Sequence, residues 1–232
     1  MSDQPAPTPV PTPAPKTPTR HAEQDQEVAN FITETRQMIE SARDDAVIAP
    51  LLAARGYDAA SLAKGLALQQ TAQSTFTLRQ TAMAAQKGAS AAAEGALAAA
   101  RSAYVDFRET ARATFSDSNA RTALGLTGKI PEDLQKLITT ARASYTAAQS
   151  APYQATLATY GFPAATIASA LAALDALSTA DKAQNAAIAA AVKATSDRDA
   201  AVKALQQWAK QFKSIASVAL RAQPIQAKKL GL

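Results

Sequence analysis

Cysteine is absent from the 232 residues, and histidine occurs once, at His21. The first absence excludes disulfides, thiolate metal ligands and thiol nucleophiles. The second removes the Glu-x-x-His pairs of a helical di-iron centre and the usual base beside a serine or threonine nucleophile. Aromatic residues make up only 5% of the chain. No run of 18 apolar residues occurs, and the nearest, 89–100, is mostly alanine with Glu94 at its centre. The chain therefore predicts no transmembrane segment. Residues 1–5 form neither a basic nor an apolar leader, so the expectation is a cytoplasmic protein.

Alanine supplies about a quarter of the sequence, far above ordinary usage. It has the highest helix propensity and no side-chain entropy to lose. It also buries little area, so faces built from it pack closely while each contact contributes little. The stability of such a fold is spread over long helix contacts.

Two lengths of the chain repeat each other. Residues 56–115 lie over 161–220 at a constant offset of 105: Gly56-Tyr57 on Gly161-Phe162, Leu62 on Ile167, Met83 on Ile188, Phe107 on Phe212. One residue of slip later, Leu124-Gly125-Leu126 matches Leu230-Gly231-Leu232. Self-similarity of this kind specifies architecture rather than activity. The expected fold is all-α, an elongated antiparallel bundle of two tandem α-hairpins (22–126 and 127–232), each with a short and a long helix. Residues 1–21 hold seven of the twelve prolines and read as a disordered polyproline-type tether. Pro15-Lys16-Thr17-Pro18-Thr19-Arg20 within it has the outline of a PxxPxR ligand.

The first helix is expected from Ala22 to Arg55 with a kink at Pro50, closed by Gly56 in a left-handed conformation. The second is expected from an Asp58 cap to Phe115, and nothing interrupts it at Lys87-Gly88. Leu62, Phe76, Met83, Leu97 and Tyr104 are separated by multiples of seven, as are Ile167, Leu174, Ile188 and Val202. Such a repeat implies near-parallel helix packing along helices roughly 85–90 Å long. Residues 116–130 read as a connector. A third helix opens at Pro131-Glu132-Asp133, breaks at Pro152 and ends at Gly161. Long helices twice the length of the short ones leave apolar halves to be covered by the other hairpin or by another subunit. On that ground a homo-oligomer is expected.

Patterns for chemistry are mostly missing. Gly125-Leu126-Thr127-Gly128-Lys129 ends like a phosphate loop but lacks its first glycine and its hydroxyl residue, with Ala123 and Ile130 in those places. A helix-terminating turn explains it better. The acid pairs Asp44-Asp45, Asp106 with Glu109, Glu132-Asp133 and Asp197 with Asp199 alternate with bases or sit at helix starts, where solvation and the helix dipole account for them. The sequence nominates no catalytic, cofactor-binding or metal-ligating residue and no small-molecule substrate.

Charge is more informative. Seven acids and two arginines lie between Ala22 and Ala49, whereas Lys203, Lys210, Lys213, Arg221, Lys228 and Lys229 follow Ala200 with no acidic side chain among them. The net charge is +5. These cations and Trp208 are the candidate interaction residues, with repeat symmetry favouring a core role for the neighbouring Phe212. The acidic first helix and the basic end suit each other as complementary surfaces. The leading expectation is a non-enzymatic helical scaffold or self-assembling structural protein. The alternative is an amphipathic coat or polyanion-binding protein, phasin-like in composition, using the basic segment on a granule surface, an anionic membrane or nucleic acid.

Overall fold

The computed structural model describes residues 20–232, with side chains from Glu23 onward. The expected tether and its PxxPxR-like run therefore lie outside the described residues, except for Arg20 and His21, which open the first helix. The described residues contain eight helices and no strand: α1 (Arg20–Asp44), α2 (Ile48–Ala53), α3 (Ala59–Thr114), α4 (Ser118–Ala123), α5 (Leu134–Ala148), α6 (Ala151–Thr159), α7 (Ala164–Ala219) and α8 (Pro224–Lys229). The described residues are all-α, as the alanine-rich composition favours.

The two long helices have 56 residues each and begin and end at the same repeat offset of 105. Neither is interrupted at Gly88 or Lys193. Asp58 caps α3 by accepting from the Ser61 amide at 2.8 Å, which is the expected start. Gly56 and Gly161 adopt φ of +86° and +89°. The amides after them, Tyr57 and Phe162, reach back to the carbonyls of Leu52 and Leu157, each at 3.0 Å. Both junctions are thus closed by the same left-handed glycine turn.

Two boundaries differ from the sequence reading. The first helix is divided at residues 45–47, ahead of Pro50 rather than at it. Proline lacks an amide, so it is tolerated in the first turn of α2, while Asp45 receives the orphan amides of Val47 and Ile48 at 2.9 and 3.1 Å. Pro131 likewise lies before its helix, and Asp133 is the cap of α5, accepting from the Lys136 amide at 2.8 Å. The expected connector also contains α4, capped by Asp117. Its repeat partner is α8, and both short helices close on left-handed glycines, Gly125 and Gly231.

The structure divides into two units, one comprising the chain up to Phe76 with Arg198–Leu232, the other Thr77–Asp197. In the first unit, α1 and α2 supply Ile39, Ala42, Ile48 and Leu52, and these pack with Tyr57 just before α3, Leu62 of α3, Phe212 of α7 and Leu220 just after it. In the second, Tyr104 and Phe107 of α3 pack with Ile138, Ala141 and Tyr145 of α5 and with Ile167 and Leu174 of α7. The ring that follows each glycine turn meets the equivalent phenylalanine edge-on. Tyr57 and Phe212 are 5.1 Å apart at 80°, Phe162 and Phe107 5.5 Å apart at 80°. Repetition of sequence has become repetition of packing.

One core contact belongs to the first unit alone. Trp208 stacks on Phe212 at 5.2 Å and covers Gly65, where an added Cβ would overlap the indole ring. The repeat equivalents of Gly65 and Trp208 are Ala170 and Ala103. Large against none and small against small fill comparable space. Gly65→Ala is therefore expected to lower stability by about 1–3 kcal/mol in urea unfolding. In a Trp208→Ala background the same change should be neutral or favourable, since alanine is the better helix former. Equal costs in both backgrounds would show that the indole does not exclude the methyl.

Candidate interaction surface

The heptad frame runs the whole length of both long helices. Its buried positions include Leu62, Phe76, Ala93, Ala100, Tyr104 and Phe107 on α3, and Ile167, Leu174, Ala191, Val202 and Phe212 on α7. Within the second unit the two helices run in opposite directions, because Phe107 meets Phe162 while Ser90 accepts from Gln184 Nε2 at 3.3 Å. Two frame positions do not follow the pattern. Met83 and its repeat partner Ile188 are 44% and 38% exposed, contrary to the expected unbroken seam. Leu78 and Val192, in the same stretches of α3 and α7, are 62% and 66% exposed.

The cause is the extent of the shorter helices. Core clusters in the described residues include no residue of α3 between Thr77 and Gly95 and none of α7 between Ser178 and Ala200. Elsewhere α1 or α5 supplies a third wall. Here two helices meet along alanine and amide side chains, and the larger apolar groups are only partly covered. The ends of the long helices, by contrast, are enclosed within the chain: Phe76 and Val202 cluster with Ile32 of α1. The helix-length mismatch thus leaves a middle stretch uncovered rather than half of each long helix.

The predicted cationic residues all belong to the first unit. Lys203 and Lys210 lie seven residues apart on the exposed side of α7, and Arg221 is exposed after its end. Lys213, Lys228 and Lys229 come together with Phe31, Thr35, Met38 and Leu230 around an open cleft of about 590 Å³. Lys229 bonds Asp45, in the turn after α1, at 2.8 Å, so the acidic segment and the basic end meet within one chain. A second such pair, Arg198 with Asp25 at 3.4 Å, uses a base that precedes the counted run. Trp208 is half-buried against Phe212 and Tyr57.

The second unit contains a polar feature that no sequence pattern indicates. Arg108 is 2% exposed and has no acidic partner among the described residues. Its Nη2 donates to the carbonyls of Leu126 and Gly128, both at 3.0 Å, and Thr127 at 3.4 Å. Arg112 donates to Leu126 and Gly128 as well. Burial lowers the Arg108 pKa, with the Arg112 charge adding to the effect and Tyr104 opposing it. The guanidinium also lies 5.6 Å from the Tyr104 ring centroid. These contacts decide the reading of Gly125–Lys129: its carbonyls are held by arginines and it terminates α4. A phosphate cradle presents amides instead.

Other titratable groups have structural surroundings. The Tyr145 hydroxyl is buried without a partner, and burial pushes its pKa well up, which keeps it protonated. Lys193 bonds Asp197 at 2.7 Å and Arg198 bonds Asp199 at 2.7 Å. No three His, Cys, Asp or Glu side chains converge on a possible metal position among the described residues. No single described helix is long and apolar enough to cross a membrane. No family model, curated protein or solved structure matches the chain.

Two outcomes test these assignments. Arg108→Met should cost about 2 kcal/mol, from lost charge-assisted bonds to buried carbonyls, and should speed tryptic cleavage after Lys129. An unchanged cleavage rate would mean that the arginine does not hold the loop. The Asp45 carboxyl lies below its ordinary 3.8, chiefly through Lys229 and then through the Val47 and Ile48 amides. A depressed folded-state pKa gives stability that is present above the unfolded value and lost as pH falls through the folded one. Asp45→Asn should therefore lower the melting temperature at neutral pH and flatten its fall below about pH 4. A parallel acid limb in wild type and variant would remove this assignment.

Proposed function

We propose that this protein is a non-enzymatic helical scaffold that self-associates through the middle of its long helices, a finer reading of the all-α fold as two duplicated α-hairpins. The observation that carries it is the exposure of Met83 and Ile188, equivalent seam positions on the two helices. Apolar groups on a heptad frame gain burial when another helix completes the packing. A second copy presents the same frame, which makes the surface self-complementary in kind. Alanine along the adjoining seam lets helices approach closely.

Light scattering at tens of micromolar across a salt series tests the proposal. The expected result is a dimer or larger particle that persists at physiological salt. Met83→Glu combined with Ile188→Glu should return a monomer of unchanged helicity. A strict wild-type monomer at low and physiological salt would remove the reading.

A second reading, a coat or polyanion-binding protein, is favoured by one observation. Lys203, Lys210, Lys213 and Lys228 are exposed, and none makes an ion pair among the described residues. Co-sedimentation with anionic vesicles, hydrophobic particles or DNA at low salt separates the two, since a scaffold of the first kind stays in the supernatant.

A further inference from the structure

We propose that the polar cleft between α1 and α3 of the first unit binds a small uncharged amide. This goes beyond the assembly reading and does not depend on it, because the cleft shares no residue with the exposed seam.

The cleft measures about 320 Å³ and is lined by Thr33 and Arg36 of α1 and by Gln69, Gln70, Gln73 and Ser74 of α3. Its volume lies at the lower end of small-ligand pockets, about 300–1,000 Å³. Gln69 stands seven residues after Leu62 and seven before Phe76, on the heptad frame of α3. The equivalent position in the other copy is Leu174, 1% exposed within an apolar cluster. Gln69 is itself 4% exposed, so a carboxamide has taken a core position. Its side chain makes no hydrogen bond to another described residue. A polar residue on a helix seam ordinarily specifies register by finding a partner across it. A buried amide left without one is destabilising. Leucine at this position would avoid that cost, and a ligand that pairs with the amide offsets it.

The lining selects the class of ligand. The Thr33 hydroxyl donates to the Ala29 carbonyl and the Ser74 hydroxyl to the Gln70 carbonyl, both at 2.9 Å. With those protons committed, both oxygens offer a ligand only lone pairs, whereas glutamine carboxamides donate and accept. Arg36 is the one charged side chain among the described lining residues, and its Nε donates to Glu40 at 2.8 Å. An anion would therefore face two acceptor oxygens, and a cation would face Arg36. An apolar molecule would leave Gln69 unpaired. No aromatic ring is among the described lining residues, so a nucleobase has no face to stack on. A second carboxamide carries donor and acceptor on one planar group and meets Gln69 in a two-point pair.

The probe is malonamide, with malonate and glycerol as the anionic and hydroxylic compounds on the same three-carbon skeleton. Titrated into the full chain, malonamide should shift the Gln69 side-chain amide signals and the backbone amides of Thr33 and Gln70, with half-saturation at about 1 mM or below. Malonate and glycerol should bind about tenfold more weakly. Gln69→Leu, the residue of the other copy, should abolish the response at Thr33 and Gln70. Gln70→Ala, at an exposed position, should weaken malonamide several-fold and serves if the leucine disturbs folding. No shift at about 10 mM malonamide, an equal response to malonate or glycerol, or a full response in the Gln69→Leu chain would overturn the proposal. None of these results alters the particle mass that tests self-association.

Discussion

The edge-on contact between the ring after each glycine turn and a phenylalanine of the opposite long helix is what the rest of the fold depends on. Tyr57 on Phe212 and Phe162 on Phe107 each fix where a short helix gives way to a long one. Aromatic pairs in this geometry contribute about 0.5–1.5 kcal/mol beyond their buried area. In a chain so rich in alanine, that is a large local share. Each pair also brings together residues far apart in sequence, so within its own unit it sets where the two long helices meet. Seams of alanine alone would specify register weakly, because one small residue packs much like another.

Register then decides what is covered. With α3 and α7 in place, the shorter helices contribute to the core only near the ends of the frame, and Met83 and Ile188 remain partly exposed. The duplication explains why the two exposed residues are equivalent. It also explains why the two units carry different polar solutions at one position: Arg108 grips a loop, and its counterpart Lys213 faces an open cleft. Duplicated architecture leaves such sites free to diverge, since the backbone around them is maintained by the repeated ring pairs and glycine turns.

Much of this is legible in the sequence wherever a local rule acts alone. Gly56 and Gly161 need a left-handed conformation, Asp58 precedes a helical pattern, and the offset of 105 carries one long helix onto the other. The misplacements occur where two rules compete. Pro50 signals a break, but proline is accepted in a first turn, so the carboxylate of Asp45 sets the boundary at 45–47, ahead of it. The connector is read as irregular from its serines and glycines, although Asp117 caps a short helix there. The burial of Arg108 has no local signature at all, since it depends on a loop folding back from residues 126–128. Gly65 does carry a clue, as a glycine inside a strong helix pattern often marks close approach, but its partner Trp208 is distant in sequence. The cationic residues read from the sequence as one group. Their separation into a solvated stripe on α7 and a cleft rim requires the fold.

Amide hydrogen exchange along α3, measured over a range of protein concentrations, tests the central claim most directly. The account predicts that residues 77–95 exchange faster than residues 59–76 and 96–114 in dilute solution and become protected as concentration rises. Equal protection along all 56 residues at every concentration would contradict it.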